Sequence, residues 1–218
     1  RGSLNFTSSA NNKLTNTYNL RSIVTNDFNF QSNNIYNKNG FVTNYTVNFK
    51  NLNTVAKNDS KYKSSLQSEI LNINQLNFTY PLIKEEEKFS NYLTPKISFK
   101  INPSDMKDYS TDSKLITTDN AFNINRLGLT DSFESGKSLT VGLDYRKENK
   151  DNIDKYFELK FATVLRDTPE YKIPKSSSLQ DKTSNIFGSV ENKFSEYFTI
   201  NYNFSLDNNL KNFEHNDI

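Results

Sequence analysis

Apolar residues along this chain recur at every second position, segment after segment. From Gly40 to Leu52 the odd positions are Phe41, Thr43, Tyr45, Val47 and Phe49, while the even ones are Val42, Asn44, Thr46, Asn48 and Lys50. Successive side chains on a strand point to opposite faces, so this spacing predicts a strand with one aromatic-aliphatic face and one polar face. The same parity holds at Leu139, Val141, Leu143 and Tyr145, and at Phe157, Leu159, Phe161, Thr163 and Leu165. It returns at Ile186, Gly188, Val190 and Phe194, then at Phe198, Ile200, Tyr202, Phe204 and Leu206. Helical spacing accounts for none of these segments as well. The even positions from Leu14 to Phe30, and again from Leu66 to Leu82, each keep one phase throughout. An ordinary globular strand has roughly five or six residues, so both runs predict unusually long strands.

Small polar residues between alternating runs favour turns, so Asn11-Asn12-Lys13 and Phe194-Ser195-Glu196-Tyr197 read as tight hairpins. Longer polar stretches at Ser32–Asn39, Asn53–Lys61, Lys84–Asn91, Pro103–Thr118 and Asp167–Lys182 read as loops. The expected fold is all-β, an antiparallel meander of about ten long strands. Residues 1–218 form a single region, with no internal repeat and no linker that would divide it.

Period two by itself leaves two architectures open. A soluble β-sandwich buries its apolar face in a core. A transmembrane β-barrel turns that face to lipid and its polar face to an aqueous lumen. Three features favour the barrel. The polar face is built from Asn, Ser, Thr, Lys and Glu. The strands exceed the ~9–11 residues that a lipid crossing needs. Aromatics stand near strand ends, at Phe41, Phe49, Tyr80, Tyr145, Tyr202 and Phe204, as interfacial girdles do.

Composition narrows the chemistry. The chain is 34% hydrophobic yet 13% aromatic, with 17 Phe and 12 Tyr, which separates it from disordered chains of similar polarity. Lys and Arg total 27 against 25 Asp and Glu, so no strong field steers it to nucleic acid. Cysteine is absent, which removes thiolate nucleophiles, disulfides and Cys-ligated metal. His215 is the one histidine, and it lacks a recognisable nucleophile motif beside it. No catalytic, cofactor or metal site is expected, and the chain is not expected to be an enzyme. It opens at Arg1 with neither a basic n-region nor an apolar h-region, so no signal peptide is expected within these residues, and no stretch approaches the ~18 apolar residues of a spanning helix.

At Phe78-Thr79-Tyr80-Pro81-Leu82-Ile83, followed by Tyr92-Leu93-Thr94-Pro95-Lys96-Ile97 and Asn102-Pro103-Ser104, a strand pair is punctuated by prolines. Asn125-Arg126-Leu127, Asp131, Gly136 and Leu139-Thr140-Val141-Gly142-Leu143 come next. Then follow Ile173-Pro174-Lys175-Ser176-Ser177-Ser178-Leu179, Thr183-Ser184-Asn185 and the strand from Phe198 to Asp207. In order and spacing this series resembles the barrel of the LptD family of lipopolysaccharide-assembly proteins, over roughly Leu66 to Asn209. Leu127 stands where the family has Phe, Ser132 where it has Arg and Asn185 where it has Asp. Ala162-Thr163 lies near the place of a missing "GQ".

The resemblance implies an arc of a large transmembrane outer-membrane barrel in a Gram-negative cell. It implies that the N-terminal jelly-roll and the terminal barrel strands lie outside this segment. The partners implied are lipopolysaccharide, an LptE-type lipoprotein plug, outer-membrane lipid, and the periplasmic Lpt bridge reached through the jelly-roll. The function implied is conduction of lipopolysaccharide to the outer leaflet. No gate residue has a matching position. Asn125, Arg126, Asp131, Pro174 and Ser177 are the family-motif loop residues, either structural or facing the lumen. The alternatives are a complete smaller β-barrel porin or a soluble β-sandwich that binds a ligand through its loops. Glu85-Glu86-Glu87 is expected to be a solvated charged turn rather than an ion site. Phe89, Tyr92, Lys96, Phe99 and Lys100 are expected to form a barrel strand rather than a nucleic-acid groove.

Overall fold

A computed structural model describes residues 1–217. The strands are β1 (Gly2–Thr15), β2 (Asn19–Ser32), β3 (Ile35–Tyr36), β4 (Val42–Lys57), β5 (Gln67–Thr79) and β6 (Leu82–Glu85). They continue with β7 (Phe89–Asn102), β8 (Gly136–Asn149), β9 (Tyr156–Arg166), β10 (Ile186–Ser195), β11 (Phe198–Leu206) and β12 (Phe213–Asp217). All belong to one antiparallel sheet in the order β1-β2-β4-β5-β7-β8-β9-β10-β11-β12, with β3 attached to β4 and β6 to β7. The expected meander of about ten strands is the fold. The path is open, because β1 and β12 each pair with one neighbour. Among the described residues no second sheet stacks on the first, so the sandwich alternative does not describe this chain.

Several strand boundaries differ from expectation, and the stretches Ser32–Asn39 and Lys84–Asn91, expected as loops, contain β3 and the adjoining ends of β6 and β7. The chain does not turn at Asn11–Lys13: β1 runs through to Thr15 and the turn falls at Asn16-Thr17-Tyr18. Asn16 and Thr17 have φ of 51° and 60°, the left-handed conformation that twisted hairpins demand and Asn tolerates best. Leu14 lies opposite Leu20 and Gly2 opposite Ser32, so even positions face even positions across the hairpin. Parity therefore crosses the turn unbroken, and what reads as one long strand is the end of β1 and all of β2. Asn53–Lys61 is likewise not wholly a loop, since β4 continues to Lys57. The Leu66–Leu82 run is β5 and β6 in one register, Thr79 opposite Lys96 and Leu82 opposite Leu93. Pro81, which has no N–H to donate, interrupts it.

Burial is inverted relative to a soluble sheet. The face carrying Phe6, Phe49 and Ile200 leaves them 54%, 49% and 44% exposed. The opposite face buries Ser98 and Thr140 to 1% and Lys100 to 2%. What covers them is the chain's own long loops, 103–135 between β7 and β8 and 167–185 between β9 and β10. Both leave from the same end of the sheet as the turns at 16–18, 58–66 and 207–212. The other end is closed by shorter connections at 33–41, 80–88, 150–155 and 196–197.

The loops bring their own small core. Met106, Tyr109, Ile116, Ala121, Leu127, Leu129, Ile173 and Leu179 pack against Ala162, Val164 and Phe187 of β9 and β10. Phe133 packs on Leu71 and Ile73 of β5. The polar face is thus not polar throughout: Leu71, Ile73, Ala162, Val164 and Phe187 lie beneath the loops.

Along β1, β2, β4 and β5 a row of amides and hydroxyls crosses the apolar face, with Val24, Leu20, Leu14 and Leu66 bare beyond it toward the long-loop end. Ser8 Oγ donates to Asn26 Oδ1 at 2.8 Å, Asn26 Nδ2 to Asn51 Oδ1 at 3.2 Å, and Asn51 Nδ2 to Ser68 Oγ at 3.4 Å. Asn53 Nδ2 reaches Asn51 Oδ1 at 2.7 Å. Below this row lies an aromatic pair, Phe6 and Phe28, with centroids 4.7 Å apart. At the short-turn end Phe41 stacks on Tyr80 at 4.6 Å and Tyr145 meets Phe157 at 6.4 Å.

Candidate functional site

The residues singled out from the sequence converge on the loop-covered face. Loop 103–135 re-enters the sheet at Gly136, whose φ of 83° is left-handed. A Cβ there would stand 3.2 Å from Arg166 Nη2, so glycine suits both the conformation and the space. Further back, Phe122 lies directly on Gly142 of β8, where a Cβ would come within 2.7 Å of its ring. Gln75 of β5 holds the same segment by donating Nε2–H to the Phe122 carbonyl at 2.6 Å.

Arg126 is buried and faces the sheet. Its Nη1 donates to Thr140 Oγ1 at 2.9 Å and its Nη2 to Ser138 Oγ at 3.0 Å, both on β8. Its fork also grips Glu134, Nε to Oε2 at 2.7 Å and Nη2 to Oε1 at 2.5 Å. Arg166 from the end of β9 pairs with the same carboxylate and donates Nη2–H to the Ser135 carbonyl at 2.5 Å. Lys100 of β7 lies 4.0 Å from Glu134 and donates to the Asn123 carbonyl at 2.9 Å. One carboxylate thus faces three buried basic side chains. Burial by itself pushes the Glu134 carboxyl up, but the charges of Arg126, Lys100 and Arg166 outweigh it and hold the group at about 2.

Asp131 forms a second knot. It is buried and accepts hydrogen bonds from the hydroxyls of Tyr62 and Tyr109, with Lys61 Nζ at 3.5 Å. The Lys61 ammonium also sits 3.6 Å from the centre of the Tyr109 ring. Asp131 therefore ties the 58–66 connection to loop 103–135.

Asn125 stabilises its own turn, exchanging hydrogen bonds with the Leu129 backbone at 2.9 and 3.1 Å. It also lines a cavity of about 250 Å³ with Asn5, Asp27, Asn29, Asn48, Lys50 and Phe133. There the Lys50 ammonium meets Asp27 at 2.6 Å. In loop 167–185, Ser177 Oγ donates to the Pro174 carbonyl at 2.6 Å and accepts from the Leu179 N–H at 3.3 Å. This closes the short 3-10 turn Lys175–Ser177. Pro174 and Ser177 thus shape the second loop and do not meet Arg126 or Asp131.

Glu134 and Arg166, the centre of the cluster, are missed by motif reading. Parity carries a signal for Arg166, an even position in the strand whose odd positions are Phe157 to Leu165 and so a cation on the polar face. Nothing local marks Glu134. Lys100 lies on β7 as expected, with its ammonium committed to the loop. His215 lies opposite Ser205 on the neighbouring strand. Ser205 Oγ instead accepts from Asn185 Nδ2 at 2.9 Å. Among the described residues no three His, Cys, Asp or Glu side chains converge as metal ligands. No described helix is long and apolar enough to cross a membrane, which leaves crossing by strands open. The arrangement offers hydrogen bonds and fixed charge along a wall.

Compared with known proteins, the chain matches the family model described as "LptD: LPS transport system D" over residues 3–218. The match takes in β1, β2 and β4 as well as the stretch that carries the motifs. No curated protein matches the chain.

Proposed function

This chain belongs to the LptD family, LPS transport system D, which acts in lipopolysaccharide transport at the outer membrane of Gram-negative bacteria, and on that premise we propose that residues 1–218 are one arc of a barrel wall. In this reading the apolar face meets lipid and the loop-covered face lines the lumen along which lipopolysaccharide passes. The observation that carries it is the inverted burial: bare aromatic residues on one face, buried Ser98, Lys100 and Thr140 on the other. A soluble protein exposing such a face would associate through it. A barrel wall needs it.

Outer-membrane barrels carry short periplasmic turns and longer extracellular loops. By that rule the 103–135 and 167–185 loops are extracellular, and the Ser8-Asn26-Asn51-Ser68 row marks where the wall leaves the bilayer. The asparagine-lined cavity around Lys50 and Asp27 presents hydroxyl-binding groups to the lumen, as the sugar portion of lipopolysaccharide requires. Arg126, Glu134 and Arg166 pin the first loop to the wall, and Asp131 pins it to its neighbour. The wall of the full barrel holds an LptE-type lipoprotein plug and receives lipopolysaccharide from the periplasmic Lpt bridge.

The test is site-specific photocrosslinking in living cells, in the full-length protein. A photoreactive residue at Asn29 or Asn48 should capture lipopolysaccharide, whereas one at Tyr145, on the apolar face toward the short-turn end, should capture phospholipid. Equal capture from both faces, with the protein assembled, would refute the assignment of faces.

A further inference from the structure

The apolar face carries a second feature, at the short-turn end and far from the loop cluster. Lys147 of β8 lies opposite Phe157, and Phe157 opposite Asn192, so these three share the face with Phe89, which lies opposite Asn149. Together with Lys155 and Phe194 they line a cavity of about 280 Å³. The Lys147 ammonium stands 4.3 Å from the centre of the Phe89 ring, and Phe194 stacks on Phe198 with centroids 5.6 Å apart.

Three lysines line this cavity, Lys147, Lys155 and Lys193, and no carboxylate does. Lys193 is engaged by Asp154 at 3.0 Å. Of the acids nearby, Glu85 pairs with Lys150 at 2.5 Å and Glu86 with Lys84 at 2.8 Å. Among the described residues Lys147 and Lys155 form no ion pair within 4.0 Å, although the Glu86 carboxyl, held down chiefly by Lys84, also feels the Lys147 charge. Two lysines and three aromatic rings around one cavity, on a face turned to lipid, complement a molecule with an anionic head and an apolar body.

We propose that Lys147 and Lys155, over the rings of Phe89, Phe157 and Phe194, form a binding site for an acidic phospholipid of the leaflet at the short-turn end. The site takes the phosphodiester between the two ammoniums and the glycerol and first acyl carbons against the rings. It rests on the reading that the apolar face meets lipid. A head group with its own ammonium, such as phosphatidylethanolamine, repels the lysines. One without, such as phosphatidylglycerol, does not. A lysine that merely reaches from an apolar face to water shows no such preference.

The experiment uses the full-length protein in nanodiscs that contain equal phosphatidylglycerol and phosphatidylethanolamine, released into native mass spectrometry. The wild-type protein should retain phosphatidylglycerol in preference. Lys147→Gln and Lys155→Gln should each weaken that preference about fivefold, the double variant should abolish it, and Lys147→Arg should keep it. Lys137→Gln, at the opposite end of the same face, should change nothing. Equal retention of the two lipids, or a preference that survives the double variant, would overturn the proposal. So would displacement of the lipid by inorganic phosphate, which would make this a free-anion site. A nitroxide on Thr163→Cys separates the two levels of failure. If it is accessible to lipid-dissolved oxygen while selectivity is absent, the site fails and the wall stands. If it is accessible only to a water-soluble relaxant, both fail.

Discussion

Glu134 is the residue on which the most rests. Taking two or three charges out of water is costly, and removing one partner leaves the others buried without compensation. Glu134→Ala strands Arg126, Arg166 and Lys100 together, and we expect it to destabilise the loop by about 3–5 kcal/mol. Hydrogen exchange should register this as lost protection across 103–135, with β1 and β2 unchanged. The same group sets a pH dependence. Its carboxyl falls from an ordinary 4.5 to about 2 in the folded chain. Its contribution is therefore complete above about pH 4.5 and is lost as pH falls from there toward 2. Protease sensitivity of the loop should rise within that window in the wild-type protein and show no such transition in Glu134→Gln. Asp131→Asn should cost less than Asp131→Ala, because an amide oxygen still accepts from Tyr62 or Tyr109 whereas a methyl leaves both hydroxyls orphaned. Asn125, Arg126 and Asp131 stand out in the sequence through the family motif that they resemble. Glu134 does not, because its role is defined by Lys100 and Arg166, which reach it only when three strands are side by side.

At the scale of elements, period two is read almost without loss, since it reports only that alternate side chains face alternate sides. The failures fall where parity is blind. The β1–β2 hairpin preserves it across the turn, so Leu14 to Phe30 reads as one strand and Asn11–Lys13 as the bend. Only the left-handed Asn16 and Thr17 place the turn. Two substitutions test the elements. Gly142→Val pushes a side chain against the Phe161 carbonyl and into the Phe122 ring, and should cost about 1–3 kcal/mol while loosening loop 103–135. The asparagine row gives a depth scale. Leu143→Arg on the bare face should destabilise the barrel by about 2–4 kcal/mol, against about 0–1 for Asn26→Arg at the row. Reversible unfolding of the full protein in lipid would measure both, and equal costs would mean that the row does not mark the bilayer edge.

At the scale of the whole molecule, the sheet has two edges, β1 and β12, each with unpaired backbone groups. Unpaired edges recruit other strands. Residues 1–218 refolded alone in detergent should therefore associate, as seen by light scattering. A monodisperse monomer would mean that β1 and β12 close on each other, which is the smaller-porin alternative. Alternation, an intrinsic property of extended backbone, was enough to determine the two faces of the sheet and the all-β class from the order of residues, though not every strand boundary. The order of motifs was enough to indicate the family. Which face is covered, and by what, needed the tertiary structure. The loop residues that pack on Ala162, Val164 and Phe187 come from turns as distant in sequence as Met106 and Leu179. Their apolar contacts, and the ion pairs of Glu134, arise only from closing those long loops back onto the sheet. No local pattern records where a loop lands.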